Sequence, residues 1–186
     1  MDLGRIAGGA IAIALIGLGV SACSGDAVEA ESDGVFDREG FSFKFEYPSD
    51  FSETDEITTD QQVGGQALAQ AGVFFDTEEH DILLVEEYQL ALEIDKSNLG
   101  VVEAEIDDLL AGVATDAPRA ERIEVAGLPA LRYADIAIPT VEDGVSTINF
   151  IFDGDREYLV NCQSTPSGRD QVAEACDLAL ETLEPR

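Results

Sequence analysis

Positive charge is what this 186-residue chain has least of: ten Lys and Arg stand against 39 Asp and Glu, for a formal net charge of -29. Lys44 and Lys96 are the only lysines, and there is no basic run. Nucleic acids are bound by neutralising their phosphates with Lys and Arg, so that class of partner is excluded. An anionic lipid surface would repel the body of the chain for the same reason. So many carboxylates keep a surface soluble in salt, which suits a saline habitat or an acidic proteome.

Histidine is also scarce. With His80 alone, a multi-histidine zinc site is impossible, and Cys162 and Cys176 stand too far apart for a C-x-x-C ligand pair. There is no G-x-S-x-G, S-x-x-K or phosphate-cradling loop, so nucleophilic hydrolysis and nucleotide binding have no visible apparatus. Gly64-Gly65 reads as a loop. His80 beside Glu78, Glu79 and Asp81 is a conceivable metal or base site, but a charged loop between strands is ordinarily just solvated. Carboxylates for calcium occur at Asp153-Gly154-Asp155 and from Asp76 to Asp81, yet neither set has EF-hand spacing. The expectation is no metal, no cofactor and no catalytic residue.

One apolar run stands out, Ile6 to Val20, preceded by Arg5 and followed by the small residues Ser21 and Ala22. It is short for a membrane-spanning helix, rich in Gly and followed by acidic residues rather than a basic stop-transfer flank. The layout is that of a signal peptide, without a twin arginine. Val20-Ser21-Ala22-Cys23 resembles the lipobox of bacterial lipoproteins. That resemblance implies a diacylglyceryl group on the Cys23 thiol and cleavage just before it, making residues 1–22 the signal peptide. Cleavage would remove one acid and one base and leave the charge of -29 intact. Residues 23–34 are small, polar and acidic, the composition of a lipidated flexible tether.

The remaining 35–186 are of a size for one domain. Phe41 to Tyr47 alternates aromatic and polar residues as a half-buried strand does, and Pro48 ends it. Ser49 to Gly65 reads as a loop with at most one short element. Val73 to Asp76 and Ile82 to Leu90 read as strands. Leu99, Val102, Ile106, Leu109, Leu110 and Val113 recur at helical spacing, with Asn98 or Ser97 as cap. Strands Glu121 to Val125 and Ala130 to Ile138 flank an Ala126-Gly127-Leu128-Pro129 turn. Ser146 to Phe152 and Arg156 to Gln163 flank Asp153-Gly154-Asp155, a hairpin signal. A last helix, about Arg169 to Leu183, opens with a Ser167–Asp170 capping-box pattern and puts Val172, Cys176, Ala179, Leu180 and Leu183 on one face. This predicts an α+β domain: an antiparallel sheet of about seven strands with two amphipathic helices packed on it.

Tyr158, Val160 and Cys162 share one strand face, and Cys176 lies on the apolar face of the following helix. Once Cys23 is assigned to lipid, an even pair remains, and export to an oxidising compartment predicts a Cys162–Cys176 disulfide.

The Gly40-to-Pro48 strand, the Val125-to-Ala130 turn and the closing hairpin and helix together resemble the PsbP-like fold, an α/β/α sandwich shared by LpqN-like bacterial lipoproteins. A cystatin-like or nuclear-transport-factor-like domain is the alternative. The resemblance implies a binding or assembly module, since known members support an oxygen-evolving complex or bind the Ran GTPase, and it brings no catalytic residues. The expected protein is a non-enzymatic lipoprotein, held at the extracytoplasmic face of a cell membrane through lipid on Cys23 and serving an envelope protein partner. An envelope hydrolase with an unrecognised site, or a scavenger of cations or small ligands, is the alternative.

Overall fold

A computed structural model describes residues 32–54, 67–75, 80–113, 118–139 and 141–186. Cys23, Gly64, Gly65 and Asp76 to Glu79 lie outside these residues.

The elements run β1 (Ser32–Phe36), β2 (Phe43–Pro48), β3 (Phe51–Thr54), β4 (Ala67–Phe75), β5 (Ile82–Ile94), α1 (Leu99–Val113), β6 (Glu121–Val125), β7 (Leu128–Ala137), β8 (Val145–Ser164), α2 (Arg169–Thr182) and β9 (Glu184–Pro185). They form two sheets rather than the single sheet of about seven strands expected from the sequence. The small sheet has the order β1-β2-β9 and the large one β3-β4-β5-β8-β7-β6, and every pairing is antiparallel. The split arises because β2, the strongest aromatic strand, pairs with β1 and the chain's C-terminus instead of joining the others. β1 also starts at Ser32, inside the stretch read as tether, and at Gly34 it passes so close to β2 that a Cβ would meet the Tyr47 ring at 2.1 Å.

β8 spans 20 residues but is not straight. Ser146 Oγ donates to Asn161 Oδ1 at 2.5 Å, and Asn149 Nδ2 donates to the Val160 carbonyl at 3.2 Å. An extended segment would hold residues 146 and 161 roughly 50 Å apart. The element therefore turns back at Gly154, whose φ of +63° suits the first central position of a tight hairpin turn. Its first half pairs with β7 and its second half with β5. The β6–β7 turn is tighter than the sequence reading had it: Val125 pairs with Leu128, leaving only Ala126 and Gly127 at the tip, both at positive φ, while Leu128 and Pro129 belong to β7.

The large sheet is covered on both faces. Neighbouring residues divide between two apolar clusters, Ala130, Ile151 and Val160 in one and Leu131, Phe150 and Leu159 in the other, as side chains alternating across a sheet must. On the first face lie α2, through Val172, Ala175, Cys176, Ala179 and Leu180, and the small sheet, through Phe36, Phe43 and Phe45. Those three rings stack on one another, and Phe43 also meets Tyr158 at 4.7 Å between centroids. Each such ring withdrawn from water contributes about 1.5–3 kcal/mol. On the second face α1 lays Leu99, Ile106 and Leu110 against the sheet, and Tyr133 donates to Asp107 at 2.8 Å.

Helix ends depart from expectation. Asn98 precedes α1, but its Oδ1 accepts from the Asp95 amide at 2.8 Å while Asp95 accepts from Ser97 and Asn98, so the side chains tie the preceding turn. α2 starts after Gly168 without a side-chain cap, and Ser167 meets Thr165 rather than forming a capping box.

Candidate functional site

Apart from the Ser146 and Asn149 bonds inside β8, two polar clusters of the large sheet stand out, one on each face. On the first, β5 places Glu87 opposite Tyr158. Glu87 accepts from the Ser42 amide at 2.6 Å and the Ser42 hydroxyl at 3.0 Å, and pairs with Arg156. Tyr158 Oη in turn accepts from Ser42 at 3.2 Å and donates to Asp153 at 3.0 Å. Glu87 comes from β5, Arg156, Tyr158 and Asp153 from β8, and Ser42 from the residue just before β2, so the network holds the start of β2 against the large sheet. It is a joint between the two sheets.

The second face carries a different arrangement. Glu86 and Tyr88 of β5, Gln70 of β4 and Glu157 of β8 meet there because Gln70 lies opposite Glu86 and Tyr88 opposite Glu157. Gln70 Nε2 donates to Glu86 Oε1 and Tyr88 Oη to Glu86 Oε2, each at 2.5 Å. Burial, and then the Glu86 charge, push the Glu157 carboxyl up to about 7, while burial and the bond to Glu86 raise the Tyr88 hydroxyl. A carboxyl that holds its proton near neutrality is the kind of group that serves as a general acid. Two shallow surface clefts lie elsewhere, one lined by Asp143, Pro166 and Arg169 and the other by Lys96, Arg122 and Glu124.

Of the residues singled out in the sequence, Cys162 and Cys176 form the expected disulfide, with Cα atoms 6.1 Å apart. His80 is exposed in a turn and is not joined to either buried group. Asp81 is buried and accepts from the Thr165 amide at 2.6 Å and hydroxyl at 3.1 Å, fixing the turn into α2. Asp153 is engaged by Tyr158. Among the described residues no group of three or more His, Cys, Asp and Glu is placed to hold a metal ion, and no helix is long and apolar enough to cross a membrane.

One feature of α2 escaped the sequence reading although its spacing is plain. Asp170, Glu174, Asp177 and Glu181 follow at intervals of four, three and four residues, all exposed and opposite the buried stripe, with no basic residue in the last turn. Like charges at these spacings oppose one another by about 0.2–0.5 kcal/mol per pair, and acids near a helix C-terminus oppose its dipole.

No family model matches the chain, and neither does any curated protein. Solved structures do. The solution structure of cyanobacterial PsbP (CyanoP) from Synechocystis sp. PCC 6803 superposes with a TM-score of 0.55 at 13% identity, over 90% of this chain and 99% of that one. The fold is PsbP-like. A crystal structure from Bacteroides thetaiotaomicron VPI-5482 superposes with a TM-score of 0.53 at 14% identity over 82% of this chain, which spans about half (48%) of that protein's length. At such identities the PsbP-like architecture is shared, and side-chain roles are not carried with it.

Proposed function

We propose that this protein is a membrane-anchored extracytoplasmic lipoprotein whose PsbP-like domain works, without catalysis, as a binding or assembly module for an envelope protein. The acidic stripe on α2 carries the reading, because four carboxylates aligned on one exposed face weaken the helix that bears them. A partner with a basic surface relieves that repulsion, speeds encounter and fixes orientation. The lipobox-like residues ending at Cys23 support the anchor. Between Cys23 and β1 the chain reaches at most about 30 Å, so the partner is membrane-proximal. In-cell crosslinking followed by mass spectrometry tests the reading, with an unrelated lipoprotein of similar charge as control.

The raised Glu157 carboxyl favours a second reading, an envelope hydrolase using Glu157 as an acid. Turnover of an envelope substrate that is lost in E157Q would support it and remove the first.

A further inference from the structure

Glu86 faces Leu159 and Tyr88 faces Glu157 across the β5–β8 ladder, which places the two glutamates diagonally on one face. Glu86 is 8% exposed, and both of its oxygens are occupied, by Gln70 and by Tyr88. Leu159, two residues along from Glu157, belongs to the apolar cluster under α1. The regular ladder ends just beyond this pair: Gln89 faces Arg156, and the next pairing is Ile94 with Gly154. Leu90 to Glu93 thus bulge out of register, and Leu92 among them is 51% exposed.

We propose that Glu157 keeps its proton beside Glu86, and that losing it loosens the β5–β8 ladder at this bulge, so that the packing of the second face responds to pH. The inference does not depend on the binding-module reading.

Among the described residues, the side chains named beside Glu157 are acidic, neutral or already paired. β5 contributes Glu86 and Tyr88, and β4 contributes the neutral Gln70. Asp155, at the hairpin tip, adds another acid, its carbonyl accepting from Gln89 at 3.0 Å. On α1, Glu103 pairs with Arg122 and Asp107 accepts from Tyr133. Arg156, the adjacent cation in the chain, is turned to the opposite face, where it pairs with Glu87. Burial first, and then repulsion from the Glu86 carboxylate, oppose a charge on Glu157, so its carboxyl keeps the proton.

The sign follows from the values. The Glu157 carboxyl stands at about 7 in the fold against an ordinary 4.5, so the native state keeps a proton that the unfolded chain releases. Its contribution is full below pH 4.5 and is lost as pH rises through about 7.

The test is a carbon-13 NMR titration of the Glu157 carboxyl in the full chain, with its signal assigned by its loss in E157Q. The expected midpoint is near 7, falling in E86Q; a wild-type midpoint in the ordinary glutamate range would overturn the proposal. Urea unfolding of both chains gives a second readout: from pH 5 to 8 the wild-type folding equilibrium constant should drop about 70-fold relative to that of E157Q, the linkage value for that displacement. Parallel profiles would overturn it. Amide protection at residues 90–94, corrected for intrinsic exchange, should fall above pH 7 in the wild type and hold in E157Q, and an equal fall in both would separate the bulge from the proton.

Discussion

Arg156 reaches from β8 to Glu87 on β5, and the carboxylate it meets has no exposure to solvent although the arginine itself is 39% exposed. Taking away one partner of a buried pair leaves a charge without compensation, typically at 3–5 kcal/mol. Here the Ser42 amide and hydroxyl remain. Arg156→Ala should therefore destabilise the fold by about 2 kcal/mol, less than a fully buried pair would lose. Urea denaturation checks this, and a change within error of zero would mean that Ser42 and water suffice.

How far the fold could be read beforehand depended on whether a feature was local. Leu99, Ile106 and Leu110 marked α1 by periodicity, and the described helix begins at Leu99 and ends at Val113 as the pattern did. β6 likewise matched, because an alternating segment between turn residues carries its own boundaries. The division into two sheets was not legible. β9 is two residues long, held by the Arg186 amide on the Ser42 carbonyl at 2.8 Å and by Lys44 to Glu184 at 2.9 Å, contacts between segments far apart in the sequence. The site followed the same rule: the α2 stripe was there to be counted, but Glu86 and Glu157 come together only through the β5–β8 register, which no local pattern encodes.

The disulfide between Cys162 and Cys176 ties α2 to β8 across a separation of 14 residues. In the chain-entropy account a loop of this size stabilises the fold by about 3 kcal/mol. Reduction should lower the melting temperature and add the mass of two hydrogens. Rapid alkylation of the native, unreduced protein at these positions would contradict the pairing.

Carboxylate repulsion should make stability rise with salt, since added ions screen exposed charges beyond a Debye length of about 10 Å at 0.1 M. The melting temperature should climb from low salt to 1 M. A flat profile would mean that the acidic faces are already spaced widely enough not to matter.

The proposed anchor rests on one sulfur. Cys23→Ser should abolish fatty-acid labelling and the lipoprotein-specific cut, checked by metabolic labelling and detergent partitioning. If the variant takes up label like the wild type, the lipobox reading fails.

In-cell crosslinking of the wild-type chain beside a Glu174→Lys, Asp177→Lys variant tests the central claim, that the acidic face of α2 engages a membrane-proximal protein. Reversing two charges in the middle of the exposed stripe leaves the buried residues Val172, Ala175, Cys176, Ala179 and Leu180 untouched, so the fold should hold. The wild type should recover a specific envelope protein with a basic surface. Capture should fall severalfold in the variant and weaken as salt rises, and an unrelated lipoprotein of similar charge should not recover that protein. Equal capture by the variant, or recovery of the same proteins by the control, would contradict the account.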